Sequence, residues 1–307
     1  MDVFIGVVSA FFFSFTFIFN EVMGVSGGHW LYTASLRFLW TIVLLGALMV
    51  ILRIDFQKGL RHIRRAPWAW FLYSQIGFAL FYMPICLAST FSPGWLVAST
   101  WQLTIVCGTI LAAISPHTRH QVDPREFLPF VVILIGAFLI QGVSATILGA
   151  ETVILGVGLI LVACFAYPLG NRRIIALTGP EGLDAFSRVF WMSVMSLPSW
   201  LLGAGIAWVQ VGPPTSSQLL QTFLVALLSG VVATSLFFYA TQKAAHHLPR
   251  LAAVEATQAF EAVFTLILSV LVLHSPLPTP LQLLGIFLVV FGVVAKSLLT
   301  SKKRTSL

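Results

Sequence analysis

The sequence predicts an all-α integral membrane protein with ten transmembrane helices arranged as two inverted five-helix repeats. Three observations indicate this class: an apolar composition, a regular series of long apolar segments, and internal repetition. Of 307 residues, 58% are hydrophobic and 9% are charged, with a mean hydropathy of +0.97. Soluble domains carry about 25% charged residues, so this chain cannot cover a water-soluble surface. The net charge of +7 does not indicate nucleic-acid binding, because the basic residues lie in short loops between apolar segments.

Ten apolar segments are each long enough to cross a bilayer, which takes about 20 residues. Turn-forming residues separate several of them, as at Ser92-Pro93-Gly94 and Gly212-Pro213-Pro214. The chain runs from Met1-Asp2 directly into apolar sequence with no basic region or small-residue cleavage site, so we expect the first segment to be retained. The predicted spans, numbered 1 to 10 in chain order, are 3–23, 29–52, 67–90, 94–115, 125–143, 152–174, 183–208, 217–241, 251–273 and 280–299.

The basic residues predict the orientation of these spans. Fifteen of the 17 lysines and arginines lie in one of the two alternating sets of loops or at the adjoining ends of spans, and the other set carries none; the remaining two, Arg37 and Arg188, lie further inside spans. Loops rich in lysine and arginine stay in the cytoplasm, so we expect both termini there and the protein in the cytoplasmic membrane. The basic loops and the C-terminal end contain Arg53, Lys58, Arg61, Arg64, Arg65, Arg119, Arg125, Arg172, Arg173, Lys243, Arg250, Lys296, Lys302, Lys303 and Arg304.

The two halves of the chain repeat each other. Because each copy has an odd number of spans, the second enters the membrane upside down, as in many secondary transporters. We therefore expect a first five-helix repeat at 1–145 and a second, with a short basic tail, at 146–307. The matches at a shift of 156 include Pro93 with Pro249, Gln102 with Gln258, Pro124 with Pro280 and Gly136 with Gly292, and those at a shift of 151 include Asn20 with Asn171, Arg37 with Arg188 and Trp40 with Trp191.

Several stretches resemble a known superfamily. The second half contains 236–240 (LFFYA), 261–264 (EAVF) and 279–285 (TPLQLLG), and the first half contains 26–30 (SGGHW) and 34–37 (ASLR). These stretches resemble the EamA-type drug/metabolite transporter superfamily and its multidrug-resistance efflux branch. The resemblance implies a bacterial inner-membrane exporter of drugs or metabolites, without fixing the substrate. One departure is Pro276, where members of the superfamily commonly carry a glutamate.

Ionisable side chains inside spans usually face the interior and mark transport paths. Glu261 lies near the middle of span 9, and a regular helix would place Glu255, Gln258, Glu261 and Thr265 on one face. Removing a carboxyl group from water favours its neutral form. Glu261 is therefore a candidate to carry a proton or to hold a cationic group, while a structural ion pair with another span is the alternative.

Other charged, polar and aromatic residues inside the spans are further candidates for the functional site. Arg37 has no acidic neighbour on its own helix, and its side chain is long enough to reach towards Glu21 across the short outer hairpin, whereas Arg188 has Asp184 four residues before it. Aromatic side chains suit planar or cationic ligands, although most of them pack against lipid or protein. The further candidates for substrate binding or coupling are Gln102, Trp101, Tyr82, Tyr239 and Ser235.

These features favour a secondary active transporter that exports small organic molecules by alternating access. No span offers a catalytic His pair or an HExxH motif, and no glycine-rich phosphate loop is present, so we expect neither an enzyme nor a cofactor or metal. The three cysteines are expected to be small buried hydrophobes. Proton coupling, exchange of amino acids or nucleosides without protons, and a channel or scramblase remain alternatives. The expected partners are a small-molecule substrate and the lipid bilayer, and the oligomeric state, a monomer included, is left open.

Overall fold

The computed structural model describes residues 1–114, 125, 127–179, 182–244 and 247–305. All regular secondary structure in this part of the chain is helical. Arg119 and Pro124, which entered the predictions of topology and repetition, lie outside the described residues. The helices that make up spans 1 to 10 are Asp2–Val25; Trp30–Ile51; Pro67–Ser74, Gln75–Ala79 and Leu80–Ala88; Gly94–Trp101 and Thr104–Ile114; Phe127–Leu148; Ala150–Thr178; Ala185–Met195 and Leu197–Val211; Ser216–Val225, Ala226–Ala233 and Thr234–Ala244; Leu248–Ala256, Thr257–Ala259 and Phe260–Leu273; and Pro280–Thr305.

The span count agrees with the sequence prediction. Within the described residues, nine helices are long and apolar enough to cross a membrane. The count becomes ten when the two helices of span 7, which meet at Ser196 with a bend of 50°, are taken as one bent span. Pro198 lies in the first turn after the bend, where its missing N–H costs no hydrogen bond. The all-α membrane class is therefore confirmed.

Two boundaries differ from the prediction. Residues Phe56–Arg65, interpreted as a loop from their charge, form a separate helix with Asp55 as its N-cap. A hydropathy search does not detect this helix because it is polar, although its cationic and apolar side chains alternate with helical spacing. Span 5 continues to Leu148 instead of ending at residue 143, because Ser144 is buried and its hydroxyl group accepts a hydrogen bond of 3.1 Å from Gln282 of span 10.

Small residues allow the tightest helix contacts. Spans 5 and 10 cross where Gly136 faces Gly285, and a Cβ on either would lie 2.6–2.7 Å from the carbonyl oxygen of the other. Spans 3 and 6 likewise meet backbone to backbone at Gly77 and Gly170. In membranes, glycine lets helices approach closely enough for van der Waals packing to hold them together.

The neighbours of each span follow a regular pattern. Spans 2 and 7, 4 and 9, and 5 and 10 pack against each other. Span 6 packs against spans 3 and 4, and span 1 packs against spans 8 and 9. Spans from the two halves of the sequence therefore pack directly against each other.

Candidate functional site

Arg37 of span 2 lies between span 3 and span 8. Its Cζ is 4.1 Å from the centre of the Tyr82 ring, and its Nη2 is 3.2 Å from the Ser229 hydroxyl oxygen. Its Nη1 is buried and has no hydrogen-bond partner among the described residues. A guanidinium group over an aromatic face is stabilised by the ring's charge distribution. The prediction that Arg37 reaches Glu21 is wrong, because Arg37 lies on Tyr82 instead.

Tyr82 is a fully buried part of the same arrangement. Its hydroxyl group donates a 2.9 Å hydrogen bond to Oδ1 of Asn20 on span 1. Ser229 also accepts a 2.6 Å hydrogen bond from Thr16 of span 1. These contacts fix Arg37 and Tyr82 relative to spans 1 and 8, so both predicted site residues are held in one polar network.

Glu261 lies near the middle of span 9, in its apolar stretch Arg250–Leu273. It is 9% exposed, and no described basic group lies within 4.0 Å of its carboxylate. Its carboxyl group is therefore buried without a direct ion-pair partner in the described part of the chain.

The helix of span 9 changes just before Glu261. Residues Thr257–Ala259 form a 3₁₀ turn, which winds more tightly than an α-helix. The predicted polar face of Glu255, Gln258, Glu261 and Thr265 assumed a regular α-helix, and the 3₁₀ turn interrupts it. The four residues accordingly differ in their exposure. Glu255 is exposed, Gln258 is half-buried, and Glu261 and Thr265 are buried.

Three aromatic rings from different spans form a cluster near these charges. The Phe81 ring centre lies 5.0 Å from that of Trp101 and 4.9 Å from that of Tyr167, and the last two are 5.5 Å apart. The Phe81 ring centre is also 5.8 Å from that of Tyr82, on which Arg37 lies, so the cluster is beside Arg37. Trp101 was predicted, whereas Phe81 and Tyr167 were missed because nothing in the sequence shows which spans meet.

Arg188 of span 7 is half-buried and donates no hydrogen bond to any side chain or carbonyl that the structure describes, and its Nε is buried. The expected pairing with Asp184 is wrong. The Asp184 carboxylate instead caps the helix and accepts hydrogen bonds from the backbone and hydroxyl of Ser187. The guanidinium group is thus left for another acceptor.

Glu21 lies apart from this group of charges. Its carboxylate accepts hydrogen bonds from the Gly94 backbone N–H at 2.8 Å and from the Ser269 hydroxyl at 3.0 Å. It therefore joins span 1 to the start of span 4 and the end of span 9, a structural arrangement. This position explains why it does not meet Arg37.

The other predicted residues are more dispersed. Gln102 is buried at the break in span 4. Tyr239 is 54% exposed beside Lys243, and the Ser235 hydroxyl donates to the Val231 carbonyl of its own helix. The structure does not bring Tyr239 and Ser235 together with Glu261. The three cysteines are buried and free, as expected.

The fold and the buried charges define a multi-pass membrane protein with a polar centre. Residues 1–302 match the model of the EmrE family, described as "Putative multidrug resistance efflux transporter", and the chain belongs to that family. This is a transporter family, which supports a small-molecule exporter and the prediction that the chain is not an enzyme.

Two relatives and one solved structure are similar to most of the chain. The "Uncharacterized protein YjlA" of Bacillus subtilis (strain 168) is 42% identical over 300 residues, covering 94% of this chain and 92% of that protein. An "Uncharacterized 42.1 kDa protein in intracellular alkaline protease 3'region" of Shouchella clausii is 42% identical over 78% of this chain, and the match spans 64% of its own length. A protein of known crystal structure shares the fold, with a TM-score of 0.64, 14% identity and 98% coverage of each chain.

Proposed function

We propose that the protein exports small organic molecules across the cytoplasmic membrane by alternating access, with Glu261 at the substrate or coupling site. The observation that carries the proposal is the Glu261 carboxylate, which lies near the middle of span 9 and has no described ion-pair partner within 4.0 Å. Charged groups in such positions are costly and usually serve a transport path. Membership of an efflux family supports the direction of transport.

The proposed mechanism needs two halves that move against each other. We assign them to residues 1–145 and 146–307, related by an axis in the membrane plane. The helix neighbours support this relation. Span 6 packs against spans 3 and 4, and its counterpart in the first half, span 1, packs against spans 8 and 9, which are the counterparts of 3 and 4. The helix irregularities support it too. Spans 3 and 8 both contain π-helical segments, and spans 4 and 9 break at the matched residues Gln102 and Gln258.

Counterflow tests the carrier mechanism. Purified protein in liposomes loaded with unlabelled substrate should accumulate labelled substrate transiently, because a carrier exchanges the two across one alternating site. A channel or scramblase gives no such overshoot, and its absence would overturn the carrier proposal. A pH gradient and a membrane potential, imposed separately, then distinguish proton coupling from exchange without protons.

A further inference from the structure

Neither arginine at the centre of the bundle is paired directly with a carboxylate. Arg37, Arg188 and Glu261 take part in none of the ion pairs within 4.0 Å that the structure describes. Arg37 lies over the Tyr82 ring, and the carboxylate of Asp184, four residues before Arg188, accepts hydrogen bonds from Ser187. A buried cation without a direct counter-ion favours a negatively charged ligand.

The two arginines also have hydrogen-bonding capacity to spare. Buried N–H groups are nearly always paired, yet Nη1 of Arg37 and Nε of Arg188 have no described acceptor. Arg188 makes no side-chain hydrogen bond at all to the described residues, although its planar guanidinium group suits carboxylate and phosphate groups. A ligand with an anionic group would supply the missing acceptors.

The third observation is the cluster of rings beside these charges. Tyr167 is 38% exposed although it contacts Phe81 and Trp101, so the protein leaves part of this ring uncovered. The Phe81 ring centre lies 5.8 Å from that of Tyr82, and the Arg37 guanidinium group lies over the Tyr82 ring, so the cluster is beside Arg37. Aromatic rings bind flat ring systems by offset or edge-on stacking.

We infer that the transported molecules are aromatic organic acids, with a carboxylate bound first by Arg188 and then by Arg37, and a ring bound at Phe81, Trp101 and Tyr167. This inference rests on the proposed function and narrows its substrate class. The two arginines lie on opposite sides of the mid-membrane Glu261, Arg37 towards the outer end of span 2 and Arg188 at the inner end of span 7 in the proposed topology. An anion entering from the cytoplasm meets Arg188 first. A membrane potential that is negative inside then favours its exit, so export needs no exchange with protons.

Matched probes with one ring system test the inference. Indole-3-acetate is an anion, tryptamine is a cation and indole-3-acetamide is neutral, and binding of each labelled probe is measured on the purified full-length protein. We expect indole-3-acetate to bind at least about tenfold more tightly than either of the others, since hydrogen bonds to charged groups are worth that factor or more. Arg188→Gln should weaken the binding of indole-3-acetate by a similar factor, and Arg37→Gln should weaken its binding too. Glu261→Gln should leave it bound as tightly or more tightly.

Arg64→Gln is the matched control, because it removes one positive charge from an exposed position on the Phe56–Arg65 helix. Suppose that tryptamine binds more tightly than indole-3-acetate, and that this binding is lost in Glu261→Gln and kept in Arg188→Gln. That result would overturn the inference of an anionic substrate and leave the carrier proposal intact. Equal binding of all three probes, or of none, would also overturn the inference. The carrier proposal itself fails separately, if a probe that binds shows no counterflow.

Discussion

Glu261 poses the sharpest question at the scale of single residues. If it exchanges protons, Glu261→Gln should abolish transport driven by a pH gradient and leave the protein folded. If it is instead a structural partner of Arg37 in some state of the transport cycle, the same substitution leaves an uncompensated buried charge. That loss costs about 3–5 kcal/mol of stability.

The double variant separates the two accounts of Glu261. Under the structural account, adding Arg37→Gln should restore the melting temperature in detergent, because both charges are then gone. Under the coupling account, the double variant should stay inactive. Normal pH-driven transport by a stable Glu261→Gln protein rules out coupling at this residue, and Glu255→Gln should be milder because Glu255 is exposed.

Glu21 should prove structural. Glu21→Ala removes the acceptor of the Gly94 N–H and the Ser269 hydroxyl. Each unsatisfied buried group costs about 1–3 kcal/mol, so the melting temperature should fall, while Glu21→Gln, which keeps one acceptor oxygen, should fall less. A Glu21→Ala protein with unchanged melting temperature but lost substrate binding would return this residue to the transport site.

At the scale of helices, the crossing of spans 5 and 10 offers a clear test. Gly285→Val would place side-chain atoms against the Gly136 carbonyl. Overpacking of this kind typically costs about 1–3 kcal/mol, which thermal unfolding in detergent should detect. Gly142→Val on span 5 is the matched control, because a Cβ there meets nothing within 4 Å. Equal effects of the two substitutions would show that helix propensity, and not the crossing, sets the loss.

The sequence predicted where the transmembrane helices lie far better than which helices contact one another. The long apolar segments placed the spans, because membrane burial selects for continuous apolar composition. The Phe56–Arg65 helix is interpreted as a loop from the sequence alone, because a search for continuous apolar segments does not detect polar helices. The helical wheel for span 9 failed at Thr257–Ala259, since a wheel assumes one uniform helix. Arg37, Tyr82 and Glu261 were found as polar or aromatic residues in unusual places, but Tyr167 becomes visible only when spans 3, 4 and 6 are brought together.

At the scale of the whole molecule, the topology can be tested directly. Reporter fusions at Gly27 and Pro213 should report the outer side, and fusions at Arg53 and Gly179 the cytoplasmic side. This expectation follows from the confinement of lysine and arginine to alternate loops. A single reversed position would contradict the ten-span arrangement and, with it, the inverted relation between the halves.

The junction between the proposed halves has a mechanical consequence. Span 5 ends at Leu148 and span 6 begins at Ala150, so Gly149 alone connects them, with φ at +91° and no neighbour that would crowd a Cβ. Consecutive Cα atoms are about 3.8 Å apart, so these two helix ends cannot separate however the halves rotate. In the proposed topology this tether lies at the outer surface and acts as a pivot. A swing of one half about it moves the outer ends of spans 5 and 6 least and displaces the cytoplasmic ends most, as the far ends of a pair of tongs move around their joint.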